Sequence, residues 1–379
     1  MPIANFKIRS KRSRLRRRAI SLGVVAALAV ALAAAWQSGG ARHPKAPVAA
    51  KPRPTPTPEF GMAAPLHRSA PWSLGERSSV RATIEAALLP IARKTSSFGV
   101  VVRAQDGSIL YARNRAVGLS PASTQKLIVA ATALGVLGPQ FHFHTLLALA
   151  PSTSDGAPGD AYLIGSGDPS LTYGDLRAAA KLLAKRGVRR LRQVVVDGSA
   201  ISGNEINPHW NAADLNEDFE AATSGMSLDQ DTVEFHIRGG SPGSAAAVTL
   251  EPPSSAVHWT GSVRTSDADD AVIAATQTAD TFRISGSVPP SADETFYVPV
   301  HGIPQYVAAV FDRMLHDAGI RLESPARTGR APLDATVVWN HRSSPVRVLV
   351  GRMLYQSNNH FAEQVLRAVG GASGAAAND

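Results

Sequence analysis

No cysteine occurs in the 379 residues, which excludes a disulfide scaffold, zinc–thiolate sites and a thiol nucleophile. Acidic residues are missing altogether from residues 1–58, which carry 12 Lys and Arg. Residues 59–379 hold 27 basic and 30 acidic side chains, a net of −3, although the whole chain is +9. The folded part therefore lacks the basic footprint of a nucleic-acid binder, and no nucleic-acid partner is expected. His142 and His144 alternate on one strand face, but no third ligand stands at a metal-binding spacing. Gly165-x-Gly167 lacks the third glycine and the following helix of a nucleotide fingerprint. Neither pattern is read as a metal or nucleotide site, and no internal repeat is present.

What is there begins with an address. Eight basic residues lie between Lys7 and Arg18, followed by an uncharged run of 17 residues from Ala19 to Ala35. A basic segment, an apolar segment and the small-residue run Ala33-Ala34-Ala35 read as an export signal over 1–36. The run is at the lower limit of the roughly 17–25 residues that span a bilayer, so cleavage and retention as an anchor both remain open. Either way the basic end stays cytoplasmic and the rest is carried out, which places the folded part in the periplasm or cell wall. Residues 37–58 contain six prolines and four positive charges, the composition of an extended, semi-rigid linker.

Hydrophobic residues make up 44% of the chain, enough for a buried core, and the length predicts two to three domains at roughly 150 residues each. Ile84, Leu88 and Leu89 predict a helix over 81–92. Phe98–Ala104 and Ser108–Ala112, joined through Asp106-Gly107, predict a β-hairpin. An apolar helix is expected from Ser123 to about Leu137. Between Phe141 and Tyr297, short strand-like runs alternate with Gly-, Ser- and Pro-rich turns, predicting a β-rich inserted region. Helical spacing returns at Pro304–Ala318 and Pro345–Tyr355, and a last helix is expected near His360.

Ser123-Thr124-Gln125-Lys126 is a Ser-x-x-Lys sequence. On a helix, positions i and i+3 share a face about 5–6 Å apart between Cβ atoms, so the lysine amine reaches the serine hydroxyl. A desolvated lysine has a lowered pKa and can take the proton that makes a hydroxyl nucleophilic. Alone the sequence is a weak signal, since an N-capping serine beside a solvated lysine explains it as well. Ser357-Asn358-Asn359 adds a hydroxyl able to relay a proton and an amide able to hold a substrate amide. The pairing of Ser-x-x-Lys with Ser-x-Asn carries the weight.

With these motifs go Pro121-Ala122-Ser123, Gly165-Ser166-Gly167-Asp168-Pro169-Ser170-Leu171, Val196-Asp197-Gly198-Ser199 with Trp210 and Asp214, and His341-Arg342-Ser343-Ser344-Pro345 through Ala362-Glu363. In order and spacing, over about residues 80–370, the chain resembles the low-molecular-mass class C penicillin-binding proteins, the D-alanyl-D-alanine carboxypeptidase/endopeptidase family. The resemblance implies an α+β transpeptidase-like domain with a large β-rich insert between the first two catalytic motifs. The division is then 59–140 and 301–379 for the two parts of that domain and 141–300 for the insert. It implies Ser123 as the acylated nucleophile, Lys126 as its base, Ser357 as the proton relay and Asn359 as the group that orients the peptide amide. The Ser123 N–H would give half of an oxyanion hole, and Asp168 would stand at the edge of the site or cap the turn before Pro169. Peptidoglycan stem peptides are the implied substrates and β-lactams the implied inhibitors, no metal or organic cofactor is implied, and the membrane is a partner if the N-terminal segment is retained.

One part of the family pattern is not found. A Lys-Thr-Gly strand should follow Ser-x-Asn, and no such tripeptide occurs in these residues; Lys94-Thr95 precedes the nucleophile and is followed by Ser96. The expected transpeptidase-like domain is therefore incomplete, truncated before that strand. A fragment of a longer enzyme and a catalytically incomplete wall-binding relative are the two alternatives. Poor stability is expected of such a chain, because sheet edge and an apolar helix face would lack cover.

Overall fold

The computed structural model describes residues 8–9, 71–95, 97–150, 159–210, 218–252, 258–267, 272–278 and 281–374. The Pro-rich linker, Asp214 and, apart from Ile8–Arg9, the export segment lie outside them. Among the described residues no helix is long and apolar enough to cross a membrane.

The described residues fall into two compact units, those within 15–121 and those within 122–379 and 1–14. In the first, α1 (Leu74–Ala92) starts seven residues before the expected position. Ser73 and Glu76 form a reciprocal cap, the Glu76 N–H donating to Ser73 Oγ (3.3 Å) and the Ser73 N–H to the Glu76 carboxylate (2.9 Å), which supplies partners for otherwise orphaned donors. The expected hairpin is β1 (Val100–Arg103) and β2 (Ile109–Arg113), antiparallel with Val100 opposite Arg113. Its turn needs Gly107, at φ 82°, and Asp106 accepts from the Ser108 N–H at 2.8 Å. Ile84, Leu88 and Tyr111 form the small core of this unit.

The second unit opens with a 3₁₀ turn, Ala122–Gln125, that runs into α2 (Lys126–Val136). There follow β3 (His144–Leu149), β4 (Ala161–Gly165), α3 (Tyr173–Lys185), β5 (Arg190–Leu191) and β6 (Val194–Asp197). Next come β7 (Thr232–Arg238), β8 (Ala247–Glu251), β9 (His258–Thr265), β10 (Val272–Thr278), β11 (Thr281–Val288) and β12 (Asp293–Pro299). The chain continues through α4 (Ile303–Asp317), β13 (Arg321–Leu322), β14 (Arg327–Thr328), β15 (Thr336–Arg342), α5 (Val346–Gln356) and α6 (Asn359–Ala372).

The main sheet has the order β14-β6-β4-β3-β15, parallel at β14-β6-β4 and antiparallel at β4-β3-β15. Its strand β6, Val194-Val195-Val196-Asp197, is buried at every position, as a parallel strand covered on both faces requires. Smaller sheets follow, β12-β7-β8 and β10-β11-β9, the backbone of Ile8–Arg9 pairing with β10.

Two expectations need correction. The inserted region contains a 13-residue helix, α3, whose signals are a Thr172/Asp175 capping box and buried Leu176, Ala179, Ala180 and Leu183 at helical spacing. The expected boundary at residue 300 cuts through packed structure. Strands β14 and β15 complete the sheet begun by β3, β4 and β6, and Ile303, Val307 and Phe311 of α4 join the core of Leu163, Leu176 and Val194. A second core gathers Ala130 and Ala133 of α2, Phe143, Val346, Val350 and Met353 of α5, and Phe361, Val365 and Val369 of α6. On the other side of α2, Leu127, Ile128, Leu134 and Val136 are exposed.

Candidate active site

Ser123 lies in the 3₁₀ turn one residue after Ala122, which takes a left-handed φ of 45°. That conformation is costly for a residue with a Cβ and turns the chain sharply into α2. Ser123 is therefore exposed, whereas Lys126, at the first position of α2, keeps only 7% of its surface. The helix expected to open at Ser123 thus begins three residues later, with the serine on its approach.

The lysine Nζ donates to Ser123 Oγ (3.1 Å) and to Asn359 Oδ1 (2.5 Å). Ser357 Oγ donates to Ser123 Oγ at 2.8 Å. Three segments far apart in sequence thus converge, and the four residues Ser123, Lys126, Ser357 and Asn359 are hydrogen-bonded together. Burial lowers the pKa of Lys126 below the usual lysine value, with no counter-charge opposing it, so the neutral amine is more accessible than in water. A neutral amine beside an exposed hydroxyl can take its proton.

The second motif is placed by two helix ends. Ser357 ends α5 in the left-handed region, φ 53° and ψ 38°. Asn358 caps α6, its Oδ1 accepting from the Phe361 N–H at 2.9 Å, a usual role for asparagine. Asn359 is then the first helical residue. Ser357 and Asn359 face Ser123 and Lys126, while Asn358 donates from Nδ2 to Gln230 Oε1 (2.6 Å) and His360 Nε2 meets Asp231 Oδ2 (2.9 Å).

Asp168 is not brought into this cluster. Its Oδ1 accepts from the Ser170 N–H (2.8 Å) and Oγ (2.6 Å), and Oδ2 lies 3.5 Å from His341 Nε2. His142 and His144 contact the Ser343 carbonyl and Asn340 Oδ1, and no metal-binding group of three ligands stands among the described residues. Sequence reasoning missed Gln230, Asp231 and His360. Asn358 had a cue in the capping position, but no spacing ties the other side of these contacts to residue 358.

A profile for the D-Ala-D-Ala carboxypeptidase 3 (S13) family matches residues 80–378. The D-alanyl-D-alanine carboxypeptidase of Actinomadura sp. (strain R39) is 28% identical over 291 residues, covering 72% of this chain and 53% of the relative. A crystal structure of penicillin binding protein 4 (dacB) from Haemophilus influenzae superposes with a TM-score of 0.64 at 23% identity, over 74% of this chain and 64% of that one. The same protein complexed with a novel β-lactam gives 0.58 at 22% identity, over 74% and 63%. These structures establish the likeness of fold. The chain spans about half the length of the curated relatives it matches.

Proposed function

The chain belongs to the D-Ala-D-Ala carboxypeptidase 3 (S13) family, and from this membership and the Ser123 cluster we propose that it is a serine acyl-transfer hydrolase of D-Ala-D-Ala-terminated peptidoglycan stem peptides. The observation that carries the reading is the buried Lys126 amine within bonding distance of both Ser123 Oγ and Asn359 Oδ1.

In the proposed reaction, Ser123 Oγ attacks the carbonyl carbon of the penultimate D-alanine and its proton passes to neutral Lys126. The carbonyl π bond becomes an oxyanion near the start of α2, where the positive end of the helix dipole favours it. Collapse breaks the peptide C–N bond. The departing nitrogen takes the proton from Lys126 through the Ser357 hydroxyl, which lies 2.8 Å from Ser123 Oγ. An ester on Ser123 remains, and water attacks it to release the shortened peptide and restore the serine. A β-lactam follows the first half of this path, its ring amide taking the place of the scissile peptide. Asn359 orients the substrate amide, and the enzyme works outside the cytoplasmic membrane.

A second reading is a wall-peptide-binding relative without turnover, in which Ser123 is never acylated. Labelling the 379-residue chain with a fluorescent penicillin, beside its Ser123→Ala variant, separates the two. Labelling that disappears only in the variant, with release of D-alanine from a D-Ala-D-Ala peptide, is the expected result. A folded wild type that takes no label would sink the enzymatic reading.

A further inference from the structure

Asp229, Gln230 and Asp231 have φ values of 49°, 59° and 57°. Three successive non-glycine residues in the left-handed region are costly, and such strain persists only where the surroundings over-determine it. Here both ends are held. The Tyr173 N–H donates to both oxygens of the Asp229 carboxylate, each at 3.2 Å, and the Asp229 N–H donates to the Leu171 carbonyl at 2.9 Å. Asp231 is fully buried; its carboxylate accepts from the Leu228 N–H at 2.9 Å and faces His360, while its carbonyl accepts from the Val300 N–H at 2.9 Å. What the strained turn leaves projecting is its middle side chain, which receives the Asn358 amide.

The contacts alternate along the second motif. Residues 357 and 359 turn to Ser123 and Lys126, residues 358 and 360 to Gln230 and Asp231. Because Asn358 Oδ1 is committed to the Phe361 N–H, its Nδ2 has one orientation, and Gln230 fills it. The fastening continues down α6, where Gln364 donates to the Ser224 carbonyl (3.0 Å) and Arg367 to the Asn204 carbonyl (2.7 Å).

We propose that Gln230 and Asp231 are positioning residues, a latch from the inserted region that sets where the Ser357 hydroxyl and the Asn359 amide stand relative to Ser123 and Lys126. The catalytic part of this statement rests on the proposed function; the placement of residues 357–361 does not. Neither latch residue touches Ser123 or Lys126 in any described hydrogen bond; they act through Asn358 and His360.

Hydrogen–deuterium exchange on the 379-residue chain tests it. Gln230→Leu keeps most of the bulk of the side chain but removes the acceptor; Gln230→Glu restores an acceptor for the Asn358 amide. Loss of one such bond is expected to speed exchange of the amides of residues 357–362 about three- to tenfold. Amides of α4 should be unchanged, and the glutamate variant should return close to wild type. Unchanged exchange at 357–362 in Gln230→Leu, or equal acceleration in α4, would overturn the latch. Asp231→Asn, which keeps the buried shape, is expected to act in the same direction. The penicillin labelling rate should fall with Gln230→Leu and recover with Gln230→Glu. Exchange is read whether or not the chain takes the label. An unlabelled wild type would therefore count against the functional reading alone, and the exchange rates would still decide whether the latch exists.

Discussion

At the scale of single residues, the proposed reaction turns on the proton of Lys126. Its lowered pKa comes from burial, so the labelling rate should rise with pH as the amine loses its proton and then level off. Lys126→Arg, whose side chain stays charged, should lower the rate at least about a hundredfold, the usual size of a lost general base. Asn359→Asp is more diagnostic. It places a carboxylate where an amide oxygen now lies 2.5 Å from Nζ, which holds the proton on the lysine. The rising limb of the pH–rate profile should move to higher pH, by about one to three units; a limb that stays in place would show that Lys126 does not set it.

At the scale of elements, the start of α3 carries two titrating contacts. His341 of β15 lies between Asp168 and Asp175 (3.5 and 3.6 Å), and the hydrogen bond with Asp168 raises its pKa against the opposing effect of burial, helped by the charge of Asp175. A raised folded pKa means that this stabilisation is fully present below the ordinary imidazole value of about 6.5 and is lost as pH rises through the folded value. Asp229, under the first N–H of α3, has its pKa raised to about 6 by burial. The native state therefore holds a proton that the unfolded chain releases between about pH 4 and 6, and stability falls as pH rises through that window. Melting temperatures should decline from pH 5 to pH 8. His341→Gln should remove the upper part of that slope and Asp229→Asn the lower part; slopes unchanged in both variants would refute the assignment. Thr172→Ala, which removes the cap, should cost about 1 kcal/mol in chemical denaturation.

The elements also show what the sequence makes legible. The Asp106-Gly107 hairpin, α4 and α5 declare themselves through turn chemistry and regular apolar spacing. So do the two motifs of the site, because each is local. Helix α3 is hidden by its Ala- and Gly-rich surroundings, although Thr172 and Asp175 mark its start. Strands β9, β12 and β15 are hidden because partly exposed strands show little alternation, and β15 finds its partner β3 nearly two hundred residues earlier. The Gln230 contact is illegible for the same reason: it depends on a backbone conformation that nothing in Asp-Gln-Asp requires until the turn is held at both ends.

At the scale of the whole molecule, two cores occupy residues 122–374, one around α3 and α4 and one around α2, α5 and α6. The latter leaves Leu127 59% and Ile128 68% exposed, an apolar face of the kind that recruits other apolar surface. The chain should therefore bind a hydrophobic fluorescent dye in its native state. Ile128→Gln with Leu134→Gln should reduce that signal while shifting stability by no more than about 0.5 kcal/mol per site. Dye binding equal in the variant would place the exposed apolar surface elsewhere.

The alternation at residues 357–360 has a consequence in counting. Odd positions meet Ser123 and Lys126 and even positions meet Gln230 and Asp231, so the motif has parity. Adding or removing one residue between Ser357 and His360 would exchange the roles, aiming a scaffold side chain at Ser123 and burying a reactive one. A change in length would therefore disturb both sets of contacts at once, where a single substitution disturbs one.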